Sequence, residues 1–357
     1  MKNGLFLMLS VVVLGACTLQ RGQDNPRKGV TRTLVGQEMK FQNLEGYGIV
    51  CLYDDYLFLK EDRDTSRLIA YRVEGDTLKY FKGLINRGRG PREVYYAEYS
   101  LCNDTLFVSN SDPTGMKAIY GIPLSDMNKI DDSNRWKEYS FSENGIMTGL
   151  SFARLDDGVF IIAGGLANTQ QIFSLMDFNT NNRIPLLFWP KDSTQGPLES
   201  KQMVYMQSHL NAENGKILYA NMYARYMFVA SVAGNELVKD AVIYSSLPRY
   251  VVKPDGNIRY TEEGEYGIQP YTTAKYIYAR IGRTVREVKK SDTYKGYPKQ
   301  YVDEVEVYDW KGTFIENFRT ERPFYSFAIS SDNRFLYTMT IDLDTKEPVI
   351  LRYELPF

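Results

Sequence analysis

Six short apolar segments recur along this chain at nearly even intervals: Tyr56 to Leu59, Thr105 to Val108, Val159 to Ile162, Lys216 to Tyr219, Lys275 to Tyr278 and Arg334 to Tyr337. Their first residues are 49, 54, 57, 59 and 59 positions apart. A strand-built unit repeated at this period predicts the blades of an all-β, six-bladed β-propeller. Several segments are apolar on both faces, as in Phe160 with Ile161 and Leu336 with Tyr337. Such strands suit sheets covered by neighbouring sheets on each side, not a sheet with one face in water.

Five of the six segments follow a pair of Asp, Asn or Gly: Asp54-Asp55, Asn103-Asp104, Asp157-Gly158, Asn214-Gly215 and Asp332-Asn333. These residues tolerate the positive φ of tight hairpins. The fifth unit departs, with Thr273-Ala274. A further strand precedes each turn, so every unit opens with a hairpin, strands A and B. Strands C and D follow, for example Arg67 to Val73 with Thr77 to Lys82, and Tyr226 to Val232 with Glu236 to Tyr244. The sixth unit ends at its C strand, Glu347 to Glu354, while Thr31 to Phe41 reads as a strand with no partner. Pairing that segment as strand D of the last blade closes the ring and leaves no open sheet edge.

The amino terminus reads as an address. Lys2 is followed by an apolar run, Leu5 to Leu14, and by small residues before Cys17. The 13 residues from Gly4 to Ala16 are short of the roughly 20 that a membrane span needs. The pattern resembles the bacterial lipobox, which implies cleavage after Ala16, diacylation of Cys17 and anchoring by palmitate-class chains. The expected organisation is a signal peptide over 1–16, a lipidated tether over 17–30 and the propeller over 31–357. Thr18, and the lack of an acidic cluster after Cys17, imply an outer-membrane lipoprotein facing the periplasm. Without Lys2 the chain keeps 42 basic and 44 acidic residues, a net charge of −2, which argues against a nucleic-acid binder. Cys51 and Cys102 precede B strands in adjacent units, as a bridge in an oxidising compartment or as two buried thiols.

Together with the lipobox and the six repeats, Gly88-Arg89-Gly90-Pro91-Arg92-Glu93 resembles the TolB-like six-bladed propeller lipoproteins. That resemblance implies a fold and a location but no reaction. Members often carry a Gly-x-Gly-Pro-Gly-Glu turn, and here Arg92 stands at the third glycine.

In a propeller the D–A and B–C connections leave one face and the tight turns the other. The long connections, Asn86 to Val94, Trp189 to Lys201, Ser245 to Gly267 and Ile281 to Gln300, all fall on the first face, where function is expected. Arg87, Arg89, Arg92, Arg283 and Arg286, with Tyr95, predict a basic, aromatic rim for an anionic or carbohydrate-like ligand or an acidic envelope protein. The chain is expected to act as a monomeric binding scaffold held to the membrane by its lipid.

Enzyme chemistry has thinner support. His209, the single histidine, falls in an A strand and is expected to line the channel beside Ser208, whose side chain points the other way. No zinc set is present, and Asp62-Arg63-Asp64-Thr65-Ser66-Arg67 lacks the glycine of a calcium loop, so neither a metal nor a cofactor is expected. Asp342-Leu343-Asp344 reads as a turn for the same reason. The alternative function is a propeller hydrolase or lactonase for a sugar-like substrate, using Glu98, Asn103, Asp156 and Asn211 near the channel.

Overall fold

The computed structural model describes residues 31–357 apart from 43, 62–65, 89, 91, 113–114, 142–147, 166–170, 262–266, 284–294 and 299. Three short strands come first: β1 (Thr31–Leu34), β2 (Gln37–Glu38) and β3 (Lys40–Phe41). Blade 1 follows, with β4 (Gly48–Tyr53), β5 (Tyr56–Lys60), β6 (Ser66–Glu74) and β7 (Thr77–Asn86). Blade 2 is β8 (Tyr99–Cys102), β9 (Thr105–Asp112), β10 (Gly115–Pro123) and β11 (Lys137–Ser140). Blade 3 is β12 (Thr148–Asp156), β13 (Val159–Gly165), β14 (Phe173–Asp177) and β15 (Asn182–Leu186). Helix α1 (Leu198–Met206) leads to blade 4, with β16 (Ser208–Glu213), β17 (Lys216–Asn221), β18 (Tyr226–Ala233) and β19 (Glu236–Ser245). A hairpin, β20 (Tyr250–Val252) and β21 (Ile258–Tyr260), precedes blade 5, which holds β22 (Ile268–Thr272), β23 (Tyr276–Ile281), β24 (Val302–Asp309) and β25 (Phe314–Phe324). Blade 6 is β26 (Ser326–Ile329), β27 (Phe335–Ile341) and β28 (Pro348–Glu354).

Within each blade consecutive strands pair antiparallel, giving a six-bladed β-propeller. The strands form because hairpin signals alternate with β-branched and aromatic runs. Asp54, Asn103, Asn214 and Asn333 take φ of 46°, 53°, 50° and 63°, and Gly158 takes 71°, as the A–B turns require. The fifth turn solves the problem differently: Thr273 Oγ1 accepts from Tyr276 N–H at 3.1 Å and donates to Asn333 Oδ1 of the next blade at 2.8 Å.

Six apolar clusters separate the blades, one for each neighbouring pair. Successive residues of one B strand point to opposite clusters. Phe160 and Ile162 pack toward blade 2, whereas Ile161 and Ala163 pack toward blade 4. Phe58 joins the cluster with blade 2, and Leu57 and Leu59 the cluster with blade 6. The cluster between blades 6 and 1 joins Met339 and Ile350 to Ile49 and Ile69, so the ring is shut by core packing as well as by hydrogen bonds.

Closure uses the amino-terminal segment, with a difference from the single strand that the sequence suggested. Only β2 takes the outer place in blade 6, antiparallel to β28 through Gln37↔Arg352 and Glu38↔Leu351. β1 instead runs parallel to β25 in blade 5, and β3 runs parallel to β7 in blade 1. The segment is therefore a staple across three blades. Gly36 permits the step between the first two: a Cβ there would stand 2.7 Å from the Tyr353 ring. Arg352 reinforces the joint by donating to Gln37 Oε1 at 2.7 Å and to the Gly75 carbonyl at 2.6 Å.

Cys51 and Cys102 are both free thiols, so the bridged alternative does not hold. Helix α1 falls partly in what the sequence presented as a loop. It has no apolar stripe to announce it, and it is held by contacts outside itself: Tyr205 and Tyr250 hydroxyls both donate to Asp192 Oδ2, at 3.0 and 2.6 Å. Among the described residues no helix is long and apolar enough to cross a membrane.

Candidate functional site

The strand register places one A-strand residue of every blade at an equivalent level. Gly48 pairs with Lys60, Ser151 with Ala163, His209 with Ala220, Gln269 with Arg280 and Ser326 with Met339. In blade 2 the Ser109 amide donates to the Glu98 carbonyl at 2.9 Å, which puts Glu98 at the same step. All six A-strand residues line one central cavity of about 560 Å3. It opens where A strands begin and B strands end, on the face of the D–A and B–C connections.

The six positions carry unlike chemistry. Ser151 and Ser326 are used internally: Ser151 Oγ lies 3.2 Å from Ser208 Oγ, and Ser326 Oγ accepts from the Ile49 amide at 2.9 Å. Among the described residues, the Glu98 carboxylate, the His209 imidazole and the Gln269 amide have no hydrogen-bond partner. Asn211, two residues after His209 and so on the same side of β16, also lines the cavity. These groups are left to whatever fills the space.

Burial sets the protonation of this layer. The Glu98 carboxyl is pushed up to about 7 by burial, with Lys60 pulling the other way. His209 is pulled down to about 4 by burial and then by the Arg280 charge. Burial also lowers the Arg280 guanidinium to about 10. Near neutral pH the cavity thus presents a neutral imidazole and a carboxyl that both donates and accepts as it titrates.

The rim residues are dispersed. Arg87 is exposed and borders a smaller hollow beside the central one. Arg92 donates to Ser133 Oγ at 2.8 Å, in the connection between β10 and β11. Arg283 is paired with Asp303 at 2.8 Å and Glu304 at 3.5 Å, which Arg319 also contacts. The Tyr95 ring stands edge-on to Tyr96 at 4.6 Å, and its carbonyl accepts from Arg67 at 2.7 Å. None of Arg92, Arg283 and Tyr95 lines the central cavity. Cys17, Arg89 and Arg286, like Asp62–Thr65, lie outside the described residues. Of the alternative set, Glu98 and Asn211 reach the cavity, whereas Asn103 sits in an A–B turn on the other face and Asp156 ends β12 beside another such turn. Asp342 accepts from the Asp344 and Thr345 amides at 2.9 and 2.8 Å and serves a turn.

Sequence reading missed Lys60, Gln269 and Arg280. A signal was there: Lys60 and Arg280 each stand four residues after a tyrosine that opens a B strand, Tyr56 and Tyr276, and each ends an otherwise apolar run. The glycine-rich turn has a local role. Gly90 N–H donates to Glu93 Oε2 at 2.8 Å, and a Cβ on Gly88 would fall 1.9 Å from that oxygen. Arg92, where the TolB-like pattern has glycine, takes φ 62°, the conformation that glycine adopts most readily.

Fold and cavity define a six-bladed propeller with its site at the mouth of the central channel. No protein-family model and no curated protein matches the chain. Solved structures resemble it in shape. The RRP9 WD40 repeats are 11% identical with a TM-score of 0.43, over 90% of this chain and 97% of that one. The Cps50 (Swd1) β-propeller domain of Myceliophteria thermophila is 12% identical with a TM-score of 0.41, over 90% and 99%. A chain of a nidogen/laminin complex is 9% identical with a TM-score of 0.43, over 82% and 91%.

Proposed function

We propose that this is a TolB-like, lipid-anchored propeller of the cell envelope, held at the outer membrane through Cys17 and facing the periplasm, that binds a polar, carbohydrate-like ligand in its central cavity. The observation that carries the reading is the layer at the cavity mouth, where Glu98, His209, Gln269 and Asn211 offer donors and acceptors with no hydrogen-bond partner among the described residues. A cavity of about 560 Å3 falls within the roughly 300–1,000 Å3 typical of small-molecule sites. The lipobox supports the anchor, and Thr31, at the outer edge of blade 5 opposite Asn317, is where the tether would join the disc.

Binding is tested by calorimetric titration of neutral and acidic monosaccharides into the full chain and an Asn211→Ala, His209→Ala variant. A ligand whose heat vanishes in the variant is expected. Binding unaffected by both substitutions would refute the site. Cys17→Ser should move the protein from the membrane pellet to the soluble fraction, and an unchanged pellet would refute the anchor. The titrating Glu98 carboxyl also favours a second reading, hydrolysis of a sugar lactone with Glu98 as acid. Turnover of a lactone panel that is lost in Glu98→Gln would support it.

A further inference from the structure

The central cavity continues beyond its own walls. Toward blade 6 it shares Tyr47, Gln300 and Tyr325 with a second hollow of about 550 Å3, whose floor includes Tyr301. Tyr301 and Tyr325 have ring centroids 5.0 Å apart, and Tyr297 stands 5.6 Å behind Tyr301. Toward blades 1 and 2 the cavity shares Lys60, Glu98 and Tyr99 with a third hollow of about 270 Å3 that Arg67 and Arg87 also border. The result is a trough with Tyr301 and Tyr325 at one end, Tyr47, the amides and Glu98 in the middle, where Lys60 Nζ stands 5.9 Å from the Tyr47 ring centroid, and Arg67 and Arg87 at the other end.

Each stretch selects a different part of one ligand. Tyrosine rings offer an apolar face with a polar tip, which suits a ring with C–H faces and a hydroxyl rim. The side-chain amides of Gln269, Gln300 and Asn211 donate and accept at once, as hydroxyl groups do. Lys60 and Arg87 outnumber Glu98, and an arginine fork matches a carboxylate or sulfate. We infer that the trough holds a linear acidic oligosaccharide, with sugar rings over Tyr47 and Tyr325 and a carboxylate or sulfate beside Lys60 and Arg87. This rests on the cavity reading above and extends it from one sugar to a chain with a fixed direction.

The test is calorimetric titration of the full chain with galacturonic acid, tetragalacturonate, a chondroitin sulfate tetrasaccharide, maltotetraose and tetraglutamate. At least one acidic tetrasaccharide should bind tenfold or more tightly than the monosaccharide. Arg87→Ala should weaken it about tenfold and reduce its salt dependence. Tyr47→Ala, with its fold checked by thermal melting, should weaken the tetrasaccharide more than the monosaccharide. Equal affinity for monomer and tetramer would overturn the inference and leave the cavity reading intact. Equal binding of maltotetraose would remove the acidic requirement, and equal binding of tetraglutamate would point to an acidic peptide; either overturns it. Failure of both acidic tetrasaccharides also overturns it, while the monosaccharide arm judges the cavity by itself.

Discussion

Glu98 and His209 should give the stability of this protein opposite dependences on pH, and the two are separable by substitution. Glu98 moves from its ordinary 4.5 to about 7 in the fold, because burial disfavours the carboxylate. Between those values the native state holds a proton that the unfolded chain has released, so stability falls as pH rises from 4.5 to 7 and is flat above. At about 1.4 kcal/mol per pKa unit the loss is about 3 kcal/mol, less to the extent that cavity water still reaches the carboxyl. His209 moves from 6.5 to about 4. There the unfolded chain holds the extra proton, so stability falls by a similar amount as pH drops from 6.5 to 4. Urea unfolding at pH 4, 5, 6, 7 and 8 measures both terms. The stability of wild type minus Glu98→Gln should decline by about 2–3 kcal/mol from pH 4.5 to 7. The same difference for His209→Gln should decline by about 2–3 kcal/mol from pH 6.5 to 4. The double variant should lose both slopes. Differences that stay constant within about 0.5 kcal/mol, the usual spread of a surface substitution, would refute the half-buried, unpartnered state of these groups.

Other consequences are simpler to check. Phe160→Ala removes a fully buried ring that meets Phe107 at 5.3 Å and Tyr139 at 5.0 Å, and should lower unfolding free energy by about 3–5 kcal/mol in urea. A chain starting at residue 36 loses β1 but keeps the outer strand of blade 6; it should elute from size exclusion as the full chain does, with a lower melting temperature. One starting at residue 42 exposes the β28 edge and should aggregate. Glu93→Ala frees the Gly90 amide and should cost about 1–3 kcal/mol by thermal or urea unfolding.

Periodicity and turn chemistry made the blades legible. Strands such as β13 must bury Phe160 on one side and Ile161 on the other, and only stacked sheets offer two dry faces. Asp, Asn and Gly pairs mark the hairpins because few residues accept positive φ. The site was legible only in part. Glu98, Asn211 and His209 were accessible to reading because A strands border the axis, so their neighbourhood followed from the repeat. Arg92 and Arg283 were misleading, since a charged loop residue looks the same in sequence whether it meets a ligand, Ser133 or Asp303.

By itself the sequence determined a repeat of six hairpin-led sheets, because alternation and turn propensity act over a few residues. Tertiary structure alone decided that the first segment staples blades 5, 6 and 1, since β1 and β3 find partners about 286 and 37 positions away through edges that no local pattern announces. It alone brought Lys60, Glu98, His209 and Gln269 to one level. That level depends on strand register across the ring, and so does the burial that shifts their protons.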